Sequence, residues 1–198
     1  MSDTKQEIMN VAMQLFAKKG YHSTSIRDIT SAAKMNSSMV SYYFQSKENL
    51  YVVLFESFYH NYQNEFQNNE AILKKDFAAF LRQSIKFSFQ NKCIFSILIF
   101  EQINKTSKKV SQLMNEMYLH HLSMYIRMYD QIKNDINTND SNLMNWKYHT
   151  FFNNLKNHIV ALNTNEDRMD LITSISSIRF IENSIEQIFN IKYSLILQ

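Results

Sequence analysis

Apolar positions in the first fifty residues recur at three- and four-residue spacing, in short blocks separated by polar or glycine breaks, which is a helical pattern. Ile8, Val11, Ala12, Leu15 and Phe16 make one stripe and predict a helix from about Thr4 to Lys19. Lys18 and Lys19 favour its negative end, and Gly20 supplies a left-handed cap. Thr24 or Ser25 caps a short second helix with Asp28 in its first turn and Ile26, Ile29 and Ala33 inward, ending near Lys34. Met35 makes a turn, and Asn36 caps a third short helix from Ser37 to Phe44 with Val40 and Phe44 inward. Gln45 and Ser46 break the pattern, and Ser46 caps a fourth helix from Lys47, with Glu48 near its positive end.

Longer helices follow. Leu50, Val53, Leu54 and Phe58 continue the fourth, and Ile72, Leu73, Phe77, Phe80, Leu81 and Ile85 mark the next. After the apolar run Cys93 to Phe100, a long amphipathic helix carries Val110, Leu113, Met114, Met117, His121, Tyr125, Met128 and Ile132. Asn134 to Asn142 is the clearest loop, ahead of two last helices at roughly Leu143 to Leu162 and Glu166 to Tyr193. One glycine and no proline in 198 residues leave little material for hairpins or strand corners. The expected fold is all-α, with a three-helix helix-turn-helix domain at 1–50 and a larger helical domain at 51–198.

Hydrophobic residues at 45% and charged residues at 20% suit a folded chain. Residues 1–50 hold six Lys/Arg against four Asp/Glu, so two of the three net positive charges lie there, compatible with a polyanionic partner. Cys93, the lone cysteine, excludes an intrachain disulfide, and only Lys92 stands beside it to raise its reactivity. The run Cys93 to Phe100 is far shorter than the roughly 20 residues that span a bilayer. The N-terminus lacks a signal peptide's apolar stretch, so a cytoplasmic protein with no membrane partner is expected. There is no glycine-rich phosphate loop and no nucleophile constellation, so neither enzyme nor cofactor is expected. Glu116, His120 and His121 are metal-ligand types but read as an exposed polar face, so no metal is expected either.

Two short helices joined by about four residues and braced by an amphipathic helix describe a unit whose second helix can enter the major groove. Thr24 and Ser25 would place hydroxyls and N–H groups at a helix N-terminus, suited to a phosphate oxygen. Ser37, Ser38 and Met39 open the recognition helix and should face base edges, serine donating or accepting and methionine touching a thymine methyl. Tyr42 and Tyr43 would lie against the groove wall. The alternative is that Thr24, Ser25 and Asn36 are only caps and the tyrosines only half-buried rings.

The stretch from Gly20 through Thr24-Ser25-Ile26, Ile29 and Ala32-Ala33, then Val40-Ser41-Tyr42-Tyr43-Phe44 and Ser46-Lys47-Glu48-Asn49-Leu50, resembles the tetracycline-repressor (TetR) family. The resemblance covers about residues 5–50. It implies that Lys47 is a phosphate-contacting cation. Lys34 stands where the family has its turn glycine, and Ser41 where a tyrosine usually grips a phosphate, which implies one fewer backbone anchor. It further implies a homodimer on a palindromic double-stranded operator, paired through the last two helices. Phe151, Leu155, Ile159, Ile178, Ile181 and Ile185 are the candidate dimer residues. Phe58, Phe66, Phe80, Phe87, Met117, Tyr118, Tyr125 and Met128 are candidates to line a pocket for a hydrophobic or aromatic small-molecule effector, or else simply fill the core. The functional expectation is a ligand-released repressor. The alternative is a helical adaptor controlled by a protein partner.

Overall fold

A computed structural model of the chain describes residues 3–68, 77–132, 141–163 and 175–189, and every regular element among them is a helix. The helices are α1 (Asp3–Lys19), α2 (Ile26–Ala32), α3 (Ser37–Phe44), α4 (Lys47–Tyr62), α5 (Phe77–Gln90), α6 (Lys92–Asn104), α7 (Lys108–Ile132), α8 (Ser141–Asn163) and α9 (Ile175–Phe189). Ile72, Leu73 and residues 134–140 of the expected loop lie outside the described residues, as do 166–174 and 190–193 of the expected last helix. Ser141 and Asn142, expected in that loop, already belong to α8.

The chain divides into two compact units, whose described residues lie within 1–62 and 93–117 for the first and within 63–92 and 118–198 for the second. In the first unit α1 packs on α2 and α4, and α3 packs on both α2 and α4. Ile8, Met9, Ala12 and Phe16 of α1 meet Ile29, Val40, Phe44 and Leu50 in one core. Gly20 ends α1 at φ +78°, its N–H donating to Phe16 O at 2.9 Å, a conformation cheap only for glycine. α6 completes this unit unusually. This helix, which contains the apolar run Cys93 to Phe100, leaves Phe100 and Ile103 exposed and buries a carboxylate, Glu101.

In the second unit α8 packs on α5 and on α9. Its core is largely aromatic. Phe77 stands 5.8 Å from Tyr125 and 5.5 Å from Phe189, and Phe151 lies 5.5 Å from Phe189. The chain enters this unit through a π-helical turn, Gln63–Gln67, closed by Asn68 N–H donating to Gln63 O, which swings Phe66 into the core.

Candidate DNA-binding interface

The geometry that presents α3 begins at α2. Ser25 is its N-cap, accepting from Asp28 N–H at 3.1 Å while Asp28 Oδ2 accepts Ser25 N–H at 2.7 Å, a reciprocal capping box. The backbone and hydroxyl bonds from Ser25 hold the Asp28 carboxyl below the usual carboxylate range. At the other end Lys34 takes φ +53°, Lys34 N–H donates to Ser31 O at 3.1 Å and Met35 N–H to Thr30 O at 2.8 Å. These two bonds make a Schellman motif with a lysine where glycine is preferred.

Asn36 then caps α3, its Oδ1 accepting from Ser38 N–H at 3.0 Å. Val40 and Phe44, one turn apart, are fully buried and lock the helix to the core. Gln45, at φ +66° and ψ −43°, closes α3 in a tight turn with Ser46 N–H donating to Phe44 O at 2.7 Å. Ser46 Oγ accepts from Asn49 N–H at 3.0 Å and so caps α4, while Asn49 Nδ2 donates back to Phe44 O at 2.9 Å. With Val40 and Phe44 inward, helical periodicity centres the outward face on Ser38 and Tyr42, flanked by Met39 and Ser41. Ser37, Ser38, Met39, Ser41 and Tyr42 are all exposed, Met39 at 40% and Tyr42 at 78%. Tyr43 is half-buried with its ring edge-on to Tyr42 at 4.9 Å.

Three expected phosphate contacts are placed differently. Thr24 is only 1% exposed and its hydroxyl donates to Gly20 O at 2.8 Å, so it closes the end of α1 and cannot reach a phosphate. Ser25 is exposed, but its N–H and its hydroxyl both donate to Asp28 Oδ2 at 2.7 Å. A carboxylate therefore already occupies the anion position at the α2 N-terminus, where it repels phosphate. Lys47 is turned inward: its Nζ donates to Tyr21 O at 3.0 Å and Thr24 O at 2.9 Å and sits 4.1 Å from the Tyr21 ring centroid. It staples α4 to the α1–α2 loop. Arg27, in the first turn of α2, and Lys34, in the turn that follows that helix, are exposed cations.

The staple continues inward. The Tyr21 ring packs on Tyr51 at 4.8 Å, and Tyr51 OH donates at 3.0 Å to Glu101 Oε2. Glu101, 2% exposed, also accepts Ser107 N–H at 3.1 Å on Oε1. Burial, and then the Glu101 charge, push the Tyr51 hydroxyl pKa far above its ordinary value. Burial raises that of Tyr21 too, helped by Glu48 and Glu101.

Residues 8–54 match the family model described as bacterial regulatory proteins, tetR family. The probable HTH-type transcriptional regulator YttP of Bacillus subtilis is 38% identical over 64 residues, covering 32% of this chain and 31% of YttP. The HTH-type transcriptional repressor NicS of Pseudomonas putida is 36% identical over 75 residues, 38% of this chain and 34% of NicS. Over residues 8–54 the chain carries the helix-turn-helix of the TetR family. The matched stretch spans only about a third of either curated relative. Beyond it the likeness is one of fold alone: the transcriptional regulator FadR of Bacillus subtilis, solved with stearoyl-CoA, superposes with a TM-score of 0.60 at 14% identity, covering 92% of this chain and 96% of FadR.

Outside the TetR-type helix-turn-helix, the candidate pocket residues are distributed over both units, with Phe58 and Met117 in the first. In the second, the Phe66 ring packs edge-on against Phe80 at 6.3 Å and Phe87 at 5.4 Å, while Tyr125 and Met128 are buried. Tyr118 is half-buried and pairs with His149 at 3.0 Å. Of the candidate dimer residues, Phe151, Leu155, Ile159, Ile181 and Ile185 are already buried within the single chain, on the seam where α8 and α9 pack together. The side chain of Ile178 lies outside the described residues.

His121 is not on an exposed face. It is buried, enclosed by Phe66, Phe80, Tyr148 and Phe152 with ring centroids 4.7–5.8 Å away. Ser84 Oγ donates to Phe80 O, so it accepts from His121 Nε2–H at 3.0 Å, and His121 Nδ1 accepts from Tyr148 OH at 3.0 Å. Burial, with a smaller contribution from His120, depresses the ring's pKa to about 3 and keeps it neutral. Among the described residues no three His, Cys, Asp or Glu side chains converge as a metal site.

Proposed function

We propose that this protein is a homodimeric transcriptional repressor that binds a palindromic operator through α3 and is released by a small-molecule effector. Residues 1–50 form the DNA-binding domain and 51–198 the regulatory and dimerisation domain. The observation that carries the reading is the α3 face. A helix locked by two fully buried residues holds Ser38, Met39, Ser41 and Tyr42 outward together, which is what insertion into a major groove requires. Tyr43 lies beside them at the groove wall and Ser37 at the helix start. Arg27 and Lys34 replace Thr24, Ser25 and Lys47 as the phosphate-contacting groups.

A two-fold dimer places two recognition helices on one palindrome. With the α8–α9 seam filled inside each chain, the partner meets side chains left exposed outside it, among them Trp146, 57% exposed. The repressor reading is supported by NicS, and the effector reading by FadR, whose stearoyl-CoA carries a long apolar acyl chain. The effector acts by favouring one spacing of the two recognition helices, at a coupling of about 1–3 kcal/mol. The test is selection from a random-sequence duplex library, followed by sedimentation of the complex and titration with long-chain acyl-CoA. One enriched palindrome carrying two protomers is expected, with release by the acyl-CoA. Failure to enrich any sequence overturns the DNA-binding reading, and a one-protomer complex overturns the dimer.

A further inference from the structure

The outward face of α3 has an unusual chemistry for a reader of bases. The helix Ser37–Phe44 holds no acidic or basic residue at all, and no Asn or Gln either. Guanine is commonly distinguished by Arg or Lys at O6 and N7, adenine by Asn or Gln at N6 and N7, and cytosine by a carboxylate at N4. None of these partners is available on α3. Asn36, just before it, has its side-chain oxygen engaged by Ser38 N–H and, at 3.5 Å, by the Ser37 hydroxyl.

What remains is three serine hydroxyls, the Met39 thioether and the Tyr42 phenol, whose ring is apolar and whose hydroxyl, like serine's, fits any base edge. A serine hydroxyl both donates and accepts, so it fits any base edge and discriminates weakly. Met39 and Tyr42 are exposed large hydrophobic side chains, at 40% and 78%, three residues apart and therefore neighbours on the helix surface. The one apolar feature that a base pair displays in the major groove is the thymine C5 methyl. Burying that methyl against a thioether and a phenol ring is the selective contact this surface can make.

We infer that α3 selects its operator mainly by contact of Met39 and Tyr42 with thymine methyl groups, and that the half-site is marked by thymines at fixed positions rather than by guanines. This rests on the proposed DNA-binding role of α3. Specificity then comes from shape and apolar contact, with affinity supplied by cations outside the helix.

The experiment starts from the duplex enriched by selection and remakes it in two forms. In one, deoxyuridine replaces thymidine, removing each methyl without changing Watson–Crick pairing. In the other, 7-deazaguanine replaces guanine, removing the N7 acceptor. Binding is followed by fluorescence anisotropy for the wild type, Met39→Ala and Tyr42→Ala, whose side chains are exposed, with circular dichroism confirming that each variant folds. Each contacted methyl lost should weaken binding about fourfold, and about fifteenfold when both half-sites are changed. The 7-deazaguanine duplex should bind within about twofold of the parent, and each variant should narrow the thymine-to-uracil difference. A uracil duplex bound as tightly as the parent, or a large loss with 7-deazaguanine, overturns the thymine reading and leaves DNA binding intact. A library that yields no enriched duplex overturns both.

Discussion

Replacing Lys47 by methionine separates two roles that the same lysine can play. Methionine keeps most of the apolar stem and removes the ammonium, along with its bonds to Tyr21 O at 3.0 Å and Thr24 O at 2.9 Å and its contact with the Tyr21 ring at 4.1 Å. A charge-assisted bond is worth about 1.5–3 kcal/mol net in a protected site, and less at a half-exposed one such as this. Two such bonds at about 1 kcal/mol each, with up to about 0.5–1 kcal/mol from the cation over the ring, give a loss of about 2–3 kcal/mol. In a chain of this size that lowers the melting temperature by about 4–12 °C. Urea denaturation followed by circular dichroism measures it, with the salt dependence of duplex binding measured alongside. A phosphate contact would behave oppositely, with stability unchanged and the salt slope of a dimer reduced by about 2. That second pattern would refute the staple.

Lys34→Gly should be neutral or stabilising by up to about 1 kcal/mol in the same denaturation assay, because φ +53° suits glycine better than lysine; a clear loss would show that the Schellman turn is built otherwise. Tyr51→Phe removes the donor to Glu101 Oε2 inside the protein and should cost about 1–3 kcal/mol, so a neutral result would contradict the hydrogen bond. His121 titrates near 3 in the fold and near 6.5 unfolded, so below pH 6.5 the unfolded chain takes up the proton first. Its contribution is complete above pH 6.5 and falls by about 1.4 kcal/mol per pH unit below it. Between pH 7.5 and pH 5 the wild type should lose about 2 kcal/mol more than His121→Asn, and parallel losses would refute the buried neutral ring.

The parts of the fold that are legible in the sequence are those set by neighbours within a few residues. Asn36 and Ser46 announce the starts of α3 and α4, and Val40 and Phe44 the buried face of α3, because caps and periodicity are local physics, whereas the left-handed turn at Lys34 is implied only by the family resemblance. The partners of Lys47 are 26 and 23 residues away, and nothing at Lys47 itself distinguishes a carbonyl from a phosphate as its acceptor. Thr24 fails for a similar reason: a hydroxyl near a helix start reads as a cap or an anion ligand until burial shows it closing α1 on Gly20 O. Gln45 gives no warning of its positive φ, since neither glycine nor asparagine marks the turn. Glu101 sits just past the most apolar stretch of the chain, and only the arrival of Tyr51 and Ser107 N–H explains how a carboxylate is tolerated there. The apolar residues of α8 read equally well as core or as dimer surface, because periodicity reports a buried face without saying which chain buries it.

The most direct test of the central claim, that two α3 helices grip one DNA site with Arg27 and Lys34 on its phosphates, is the salt dependence of binding to the selected palindrome. Log K should fall linearly with log salt at a slope of about −4, as expected for two cations from each of two protomers. Arg27→Ala should bring that slope to about −2 while leaving the thymine preference unchanged. A slope near zero, or no binding even at low salt, would contradict the claim.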